Sequence, residues 1–138
     1  KLFQHIKELN EANLKDKNIE IEIAVSPQDL TLTGDEKMLE QVLLNIIRNA
    51  TEAMSNKKND KIVMQAKEID EEAVISIKDN GPGIPPEKLD KIFIPFYTTK
   101  EEGSGIGLSF SRQIMHLHGG SIQIQSEENK GTEAILRF

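Results

Sequence analysis

Hydrophobic residues recur along the chain at two spacings, one typical of helices and the other of strands. The helical spacing predicts amphipathic helices over residues 2–14, 36–55 and 105–118. Alternation of hydrophobic and polar residues predicts strands over residues 19–25, 61–67, 73–79, 121–126 and 132–138, with a further short strand over 30–32. Adjacent strand pairs combined with three helices indicate an α+β fold, with the helices on one face of a largely antiparallel sheet.

Turn and capping residues agree with these boundaries. Pro27 ends the first strand, Asp35 stands in the N-cap position of the second helix, and Gly119 follows the third helix. No repeat or linker interrupts the pattern, so we expect one domain over residues 1–138, with residues 1–18 as its leading helix. The glycine- and proline-rich stretch 80–104 is too long for a simple connection, which indicates a functional loop with one helical turn near residues 87–91.

Composition narrows the classes of function. Lys and Arg number 17 against 23 Asp and Glu, a net charge of −6 without a basic cluster, which disfavours nucleic acid as a partner. The absence of cysteine excludes disulfides and thiolate metal sites and suits a reducing, cytoplasmic compartment. No apolar run is long enough to span a membrane, so we expect no membrane contact by this segment. A chain that opens with Lys1 rather than Met is expected to be part of a longer protein.

Two asparagines stand on one face of the predicted helix 36–55. Asn45 and Asn49 lie four residues apart, so their amide oxygens lie side by side, next to Glu52 on the same polar stripe. Neutral oxygens suit a hard cation such as Mg²⁺. The stripe is equally typical of an ordinary solvent-facing helix surface, although asparagine has a low helix propensity.

An aspartate stands in an apolar strand register. Asp79 follows Ala73, Ile75 and Ile77 on the same strand face, and a buried carboxylate there needs hydrogen-bond donors. One interpretation is that Asp79 binds a ligand donor such as an exocyclic amine; the other is that it caps the turn that follows. Gly81 and Gly83 would let the backbone approach a flat ring closely.

Glycines and aromatics mark the second half of the long loop. The run Gly103-Ser104-Gly105-Ile106-Gly107-Leu108 opens the third helix, where backbone amides can bind phosphate. The run fits neither the Rossmann nor the P-loop spacing, and it is also typical of a flexible loop. Three aromatics at residues 93–97 resemble the anchor of a lid or a small hydrophobic cluster. Lys100 is either a phosphate-binding charge or a surface lysine.

In this order, the motifs resemble the ATP-binding catalytic domain of sensor histidine kinases. They are Asn-x-x-x-Asn-Ala, Asp-x-Gly-x-Gly, a Phe-rich box, Gly-x-Gly-x-Gly-Leu and a Gly-Thr pair in the last hairpin, between Asp35 and Phe138. That domain belongs to the Bergerat-fold group with gyrase B, HSP90 and MutL-type ATPases. The resemblance implies a two-layer α/β sandwich with a mixed, largely antiparallel sheet.

The resemblance also implies a Mg–ATP site. Its magnesium ligands would be Asn49, principally, and Asn45, while Asn49 and Lys100 would be catalytic. Asp79 would bind the adenine amine, and a lid over about residues 97–104 would be anchored by Phe93 and Phe96. The full set of implied nucleotide contacts is Asn45, Asn49, Glu52, Asp79, Gly81, Gly83, Ile84, Phe93, Phe96, Thr99, Lys100, Gly103, Ser104, Gly105, Ile106, Gly107, Leu108 and Thr132.

Two departures from the group's pattern refine this expectation. Hydrolytic members carry a Glu general base where this chain has Asn45, which disfavours a gyrase-like ATPase. Glu52 stands where many membrane-sensor kinases carry Lys or Arg. Nitrogen-regulator-like kinases also carry Glu at this position. Lys100, Arg48 and Arg112 are candidates for the missing cation, and the position of Lys100 in the lid favours it.

The implied activity is transfer of the γ-phosphoryl group to a histidine in two-component signalling. His5 lacks the flanking signature of the phosphoacceptor, so we expect that histidine on a separate dimerisation domain, with a response regulator downstream. The parent kinase would be cytoplasmic or membrane-anchored. The alternatives are an anti-sigma-type serine kinase, a Bergerat-fold ATPase, and a nucleotide-sensing module without transfer activity.

Overall fold

The fold is taken from a computed structural model of the chain, which describes residues 2–54, 59–95 and 107–138. The helices in these residues are α1 (Leu2–Leu9), α2 (Glu11–Asp16), α3 (Glu36–Ala53), α4 (Pro86–Leu89) and α5 (Gly107–Leu117). The strands are β1 (Glu20–Ser26), β2 (Lys61–Ile69), β3 (Glu72–Asp79), β4 (Ser121–Glu127) and β5 (Gly131–Arg137). The predicted helices and strands are therefore present, except as described below.

The strands form one mixed sheet in the order β1-β2-β3-β5-β4. β1 pairs with β2 in parallel, and the other three pairs are antiparallel. Helices cover one face, and the sheet's alternating apolar side chains bury against them. This arrangement confirms the predicted α+β fold with a largely antiparallel sheet.

The core lies between the sheet and the helices α3 and α5. Ile47 on α3 and Ile62 and Met64 on β2 are completely buried, as is Met115 on α5. Burial of each such side chain stabilises the fold by about 1.5–3 kcal/mol. The apolar stripe of α3 consists of Leu39, Val42, Leu43, Ile46, Ile47 and Ala50, so the opposite stripe, which carries Asn49 and Glu52, faces away from the sheet.

The capping predictions are confirmed in detail. The Asp35 carboxylate accepts a hydrogen bond from the Met38 N–H at 3.0 Å, which satisfies one of the free donors at the start of α3. At the end of α5, Gly119 has a φ of +72°, the left-handed conformation that terminates many helices. These caps fix the ends of the two helices that flank the candidate site.

Two predictions were wrong. The helix expected over 2–14 is two helices, because the Asn10 side chain donates to the Ile6 carbonyl at 2.8 Å and so replaces a backbone bond of a continuous helix. Residues 30–32 form no strand: the Leu30 N–H donates to the Pro27 carbonyl in a turn. Leu30 and Leu32 still pack against the core, which explains their alternating pattern.

Part of the predicted functional loop lies outside the described residues, including the whole predicted lid and the start of the predicted helix 105–118. Within the described ranges, no helix is both long and apolar enough to cross a membrane.

Candidate functional site

The candidate site lies where α3, the end of β3, the start of α5 and the β4–β5 hairpin come together. Asp79, the last residue of β3, pairs with Ile62 on one side and Thr132 on the other. The central position of β3 in the sheet places this carboxylate against the helical layer.

The Asp79 carboxylate is buried, with 8% of the residue exposed. It accepts hydrogen bonds from the Gly81 N–H at 2.9 Å and from the Thr132 N–H. Burial raises the pKa of the Asp79 carboxyl, and the two N–H donors partly offset that rise. The side chain therefore does cap the following turn, and it retains acceptor sites for a ligand because a carboxylate offers about four.

The loop after Asp79 is held by hydrogen bonds at two points. The Asn80 side chain donates to the Asn59 carbonyl at 2.7 Å and accepts from the Lys61 N–H at 2.8 Å, so it ties the loop to the start of β2. Two residues later, the Pro82 carbonyl accepts a hydrogen bond from the Asn129 N–H at 2.6 Å, which ties the loop to the β4–β5 hairpin. A loop held in this way presents a rigid backbone wall beside the carboxylate.

Glycine is required at two points of this wall. Gly83 has a φ of +73°, and a Cβ there would lie 2.2 Å from the Glu127 carbonyl oxygen. Gly131 approaches Asp79 equally closely, since a Cβ there would lie 2.1 Å from the Asp79 carbonyl oxygen. Gly81 also lies against Asp79. The hairpin and the loop are thus packed backbone to backbone.

Ser126, which joins these parts, was not predicted from the sequence. Its hydroxyl oxygen accepts from the Ile84 N–H at 2.7 Å and also lies 2.9 Å from the Gly131 carbonyl and from the Thr132 hydroxyl. Ser126 follows Ile122 and Ile124 on the inward face of β4. A polar residue in an apolar register is the same signal that singled out Asp79.

The three polar residues of α3 differ in their surroundings. Asn45 is buried, Asn49 is half-buried and Glu52 is exposed, so the polar stripe runs from the interior to the surface. The Asn45 amide nitrogen lies 3.4 Å from the Gly107 carbonyl and 3.3 Å from the Ser111 hydroxyl, both on α5. Asn45 therefore bridges the two main helices.

The described part of the Phe-rich box contacts α5 through a cation–π interaction. The Arg112 guanidinium carbon lies 4.8 Å from the centre of the Phe93 ring, and Phe93 packs against the edge of the core. Arg112, one of the three candidate phosphate cations, is thus placed over an aromatic ring. Arg48 is exposed on α3.

The structure brings together most of the predicted site residues that it describes. Asp79, Gly81, Ile84 and Thr132 share one hydrogen-bonded cluster with Ser126. Gly83 packs against the Glu127 backbone. Gly107 contacts Asn45, and the next residue, Leu108, is half-buried. The predicted phosphate-side residues Phe96, Thr99, Lys100, Gly103, Ser104, Gly105 and Ile106 lie outside the described residues.

No cluster of acidic or histidine residues suggests a preformed metal site in the described part of the chain. Within residues 2–54, 59–95 and 107–138, no group of three or more His, Cys, Asp or Glu side chains is placed to hold a metal ion.

Comparison with known proteins identifies the family. The profile of the histidine kinase-, DNA gyrase B-, and HSP90-like ATPases matches residues 34–138. Sporulation kinase C of Bacillus subtilis (strain 168) is 39% identical over 132 residues, which are 95% of this chain and 30% of that protein. The chain thus spans less than a third of that curated relative.

The solved structures that resemble this chain include histidine kinases. The catalytic domain of the histidine kinase ThkA superposes with a TM-score of 0.88 at 34% identity, covering 99% of this chain and 89% of that one. ThkA in complex with the response regulator protein TrrA gives a TM-score of 0.82 at 33% identity, over 99% of this chain and 39% of that one. Full-length ShkA in complex with AMPPNP gives 0.88 at 31% identity, over 99% and 28%.

The profile match covers more than half of the chain, and each of these structural matches covers 99% of it. The chain belongs to the family of histidine kinase-, DNA gyrase B- and HSP90-like ATPases, and its fold is that of histidine kinase catalytic domains.

Proposed function

We propose that this chain binds Mg–ATP and transfers the γ-phosphoryl group to a histidine on a dimerisation domain outside these 138 residues. The observation that carries the proposal is the buried Asp79 carboxylate, which faces a glycine-walled loop and is bonded only in part by backbone donors. Burying a carboxylate is costly, and a ligand donor would offset part of that cost. Membership in a family of ATPases and kinases agrees with that ligand being a nucleotide.

The adenine end of the site would lie at Asp79. Its carboxylate would accept a hydrogen bond from the exocyclic amine, while Gly81 and Gly83 allow the loop backbone to approach the ring. Thr132, directly across from Asp79 in the sheet, supplies a further hydroxyl at this end, and Ser126 holds that hydroxyl at 2.9 Å. This side of the site is rigid because three segments of backbone are in contact.

The magnesium end would lie on α3. The Asn49 amide oxygen is a neutral, hard ligand that fits Mg²⁺, and the ion would supply charge neutralisation at the triphosphate. The role of this chain's own residues is to position the phosphates and to provide cations and backbone amides around them. Lys100 and the glycines at 103, 105 and 107 are proposed for that role by resemblance.

The three histidines of this chain are poor candidates for the phosphoacceptor. His118 accepts from the Asp35 N–H at 2.9 Å through Nε2, and its Nδ1 donates to the Ile114 carbonyl at 2.8 Å. His5 lies on α1 beside Glu40, and His116 is exposed in the last turn of α5. We therefore place the acceptor histidine on the dimerisation domain and propose a response regulator as the downstream partner, as TrrA is for ThkA in their complex. The parent kinase is proposed to act in the cytoplasm.

Calorimetric titration with AMPPNP tests the nucleotide half of this proposal. The wild-type chain should bind AMPPNP in the presence of Mg²⁺ and more weakly in EDTA. Asn49→Ala should reduce this dependence on Mg²⁺, because one protein ligand is removed. Gln113→Ala, on the exposed face of α5, is the matched control and should bind like wild type. A folded wild-type chain that binds no AMPPNP would exclude the proposal.

A further inference from the structure

Asn45, Gly107 and Ser111 form a closed hydrogen-bonded cluster between α3 and α5, hereafter the Asn45 cluster. The Asn45 amide nitrogen lies 3.4 Å from the Gly107 carbonyl and 3.3 Å from the Ser111 hydroxyl, and that hydroxyl lies 2.8 Å from the same carbonyl. Ser111 is completely buried and Asn45 is 8% exposed. Buried polar groups are retained at such a contact only when they are bonded to each other.

The chemistry of the partners fixes the orientation of the Asn45 amide. The Gly107 carbonyl can only accept, and the Ser111 hydroxyl donates its one hydrogen to that carbonyl, so both present acceptors to Asn45. Only the amide NH₂ satisfies them. The Asn45 oxygen consequently points back along α3, where it accepts from the Gln41 amide at 3.5 Å.

We infer that Asn45 is a positioning residue, which holds the first turn of α5 against α3 through its amide nitrogen, and that it does not act as a magnesium ligand. This inference rests on the proposed function, because it assigns a role within the nucleotide site. Gly107 is the first residue of α5. Asn49 lies one turn beyond Asn45 on α3. The Asn45 cluster therefore sets the distance between the start of α5 and the helix that carries Asn49.

Sterics do not explain the contact. A Cβ at Gly107 would lie 3.8 Å from the Asn45 side chain, an ordinary van der Waals distance. The two hydrogen bonds of the Asn45 amide nitrogen are polar contacts that connect α3 to the first turn of α5 in the described residues. A single buried asparagine that fixes the register of packed helices is an established use of such a group.

Amide hydrogen exchange in the nucleotide-free chain tests the Asn45 cluster directly. The N–H groups of Ser111 and Arg112 bond to carbonyls in the first turn of α5. In Ser111→Ala, Asn45→Ala and Asn45→Asp, their protection factors should fall by about three- to tenfold, the effect of losing one net hydrogen bond. Addition of Mg²⁺ should not restore the protection. Gln113→Ala, which removes an exposed amide from the same helix, should leave the Ser111 and Arg112 protection factors unchanged.

Asn45→Asp separates the two roles. Aspartate keeps the shape and offers a better oxygen ligand for Mg²⁺, but it has no NH₂ and places an acceptor against the Gly107 carbonyl. If Asn45 has a positioning role, Asn45→Asp should lower the Ser111 and Arg112 protection factors as Asn45→Ala does. Wild-type protection in Asn45→Asp or in Ser111→Ala would overturn the inference, and Ser111→Ala keeps the test decisive should an Asn45 variant fail to fold.

A second readout uses AMPPNP. Ser111→Ala and Asn45→Ala should weaken AMPPNP binding by similar factors, the double variant should be no weaker than Asn45→Ala alone, and the Mg²⁺ concentration for half-maximal binding should stay at the wild-type value. An increased Mg²⁺ requirement in Asn45→Ala, with wild-type behaviour of Ser111→Ala, would identify a ligand and contradict the inference. If wild type bound no AMPPNP, the proposed function would fail, while the exchange measurement would still decide the role of Asn45 in the fold.

Discussion

Asp79 combines a structural and a proposed functional role in one carboxylate. It ends β3 in the register of Ile75 and Ile77 and bonds to the Gly81 and Thr132 N–H groups. The same burial that raises the pKa of its carboxyl also removes water from the remaining acceptor sites. A ligand amine would therefore find a desolvated acceptor already in position.

Asp79→Asn should weaken AMPPNP binding about ten- to a hundredfold. The substitution keeps the shape but turns an acceptor into an amide donor that faces the adenine amine, and a hydrogen bond to a charged group contributes about 1.5–3 kcal/mol. Calorimetric titration measures the change, with the exposed Asp29→Asn as a control that should bind like wild type. Equal affinities of well-folded wild type and Asp79→Asn would remove Asp79 from the site.

The raised pKa of Asp79 also predicts a pH dependence of stability. A carboxyl whose pKa is higher in the folded chain than in the unfolded chain binds its proton more tightly when folded. Its contribution to stability is therefore largest below its ordinary pKa and is lost as the pH rises through the raised value. Urea unfolding of wild type and Asp79→Asn, from about pH 3.5 to pH 7, should show the difference moving against wild type as the pH rises. A difference that moves in favour of wild type would show that the pKa of Asp79 is lowered instead.

Sequence register was sufficient to single out Asp79 but not to describe its surroundings. A period-2 pattern shows which face a residue shares, and it would have shown Ser126 in the same way, beside Ile122 and Ile124. The partners of Asn45 could not be predicted, because Gly107 and Ser111 lie more than 60 residues away and meet it only through tertiary packing. The sequence suggests a metal ligand at Asn45, and the structure adds that its amide nitrogen connects α3 to α5.

At the scale of elements, the β4–β5 hairpin supports the loop that follows Asp79. Gly83 and Gly131 permit backbone contacts that any side chain would block, and Ser126 bonds to both sides. The loop therefore depends on a hairpin more than 40 residues further along the chain. Such dependence means that the shape of the loop is specified by the fold rather than by its own proline and glycine content.

A comparison of Gly83→Ala with Gly119→Ala separates the free-energy cost of backbone strain from the cost of disturbing the contact between the loop and the hairpin. Both glycines have φ near +72°, so alanine should cost about 1–2 kcal/mol of unfolding free energy at either position. At Gly119 nothing lies within 4 Å of the added Cβ, whereas at Gly83 it would meet the Glu127 carbonyl. Gly83→Ala should therefore cost at least a further ~1 kcal/mol and should also weaken AMPPNP binding, which Gly119→Ala should not. Equal losses of stability would contradict the close packing of loop and hairpin.

Where the predicted elements failed, the cause was a hydrogen bond that periodicity does not encode. The apolar pattern predicts one helix across Asn10. The Asn10 side chain donates a hydrogen bond to the Ile6 carbonyl, and the helix is interrupted there. Leu30 and Leu32 alternate with polar residues as in a strand, and both pack against the core. The Leu30 N–H nevertheless bonds to the Pro27 carbonyl in a turn and does not join the sheet. Burial patterns thus predicted which residues face the core better than they predicted the backbone conformation.

At the scale of the whole molecule, we propose that one sheet and two helices bring together an adenine-binding wall around Asp79 and a magnesium-binding helix, α3. Position 45 provides no general base, because the side-chain amide of Asn45 cannot take a proton from water. The purified chain should therefore hydrolyse ATP far more slowly than about 1 s⁻¹, the lower end of ordinary enzyme turnover. A coupled assay of phosphate release measures this rate. Steady turnover near 1 s⁻¹ would favour the ATPase branch of the family.

Phosphoryl transfer to a separate acceptor tests the central claim most directly. The chain is incubated with γ-labelled ATP and Mg²⁺, alone and together with the dimerisation segment of its parent protein. We expect acid-labile phosphate on a histidine of that segment and none on this chain, with labelling abolished by Asn49→Ala. Stoichiometric label on His5 of the isolated chain, or an unlabelled segment in a mixture where the chain binds ATP, would contradict the account.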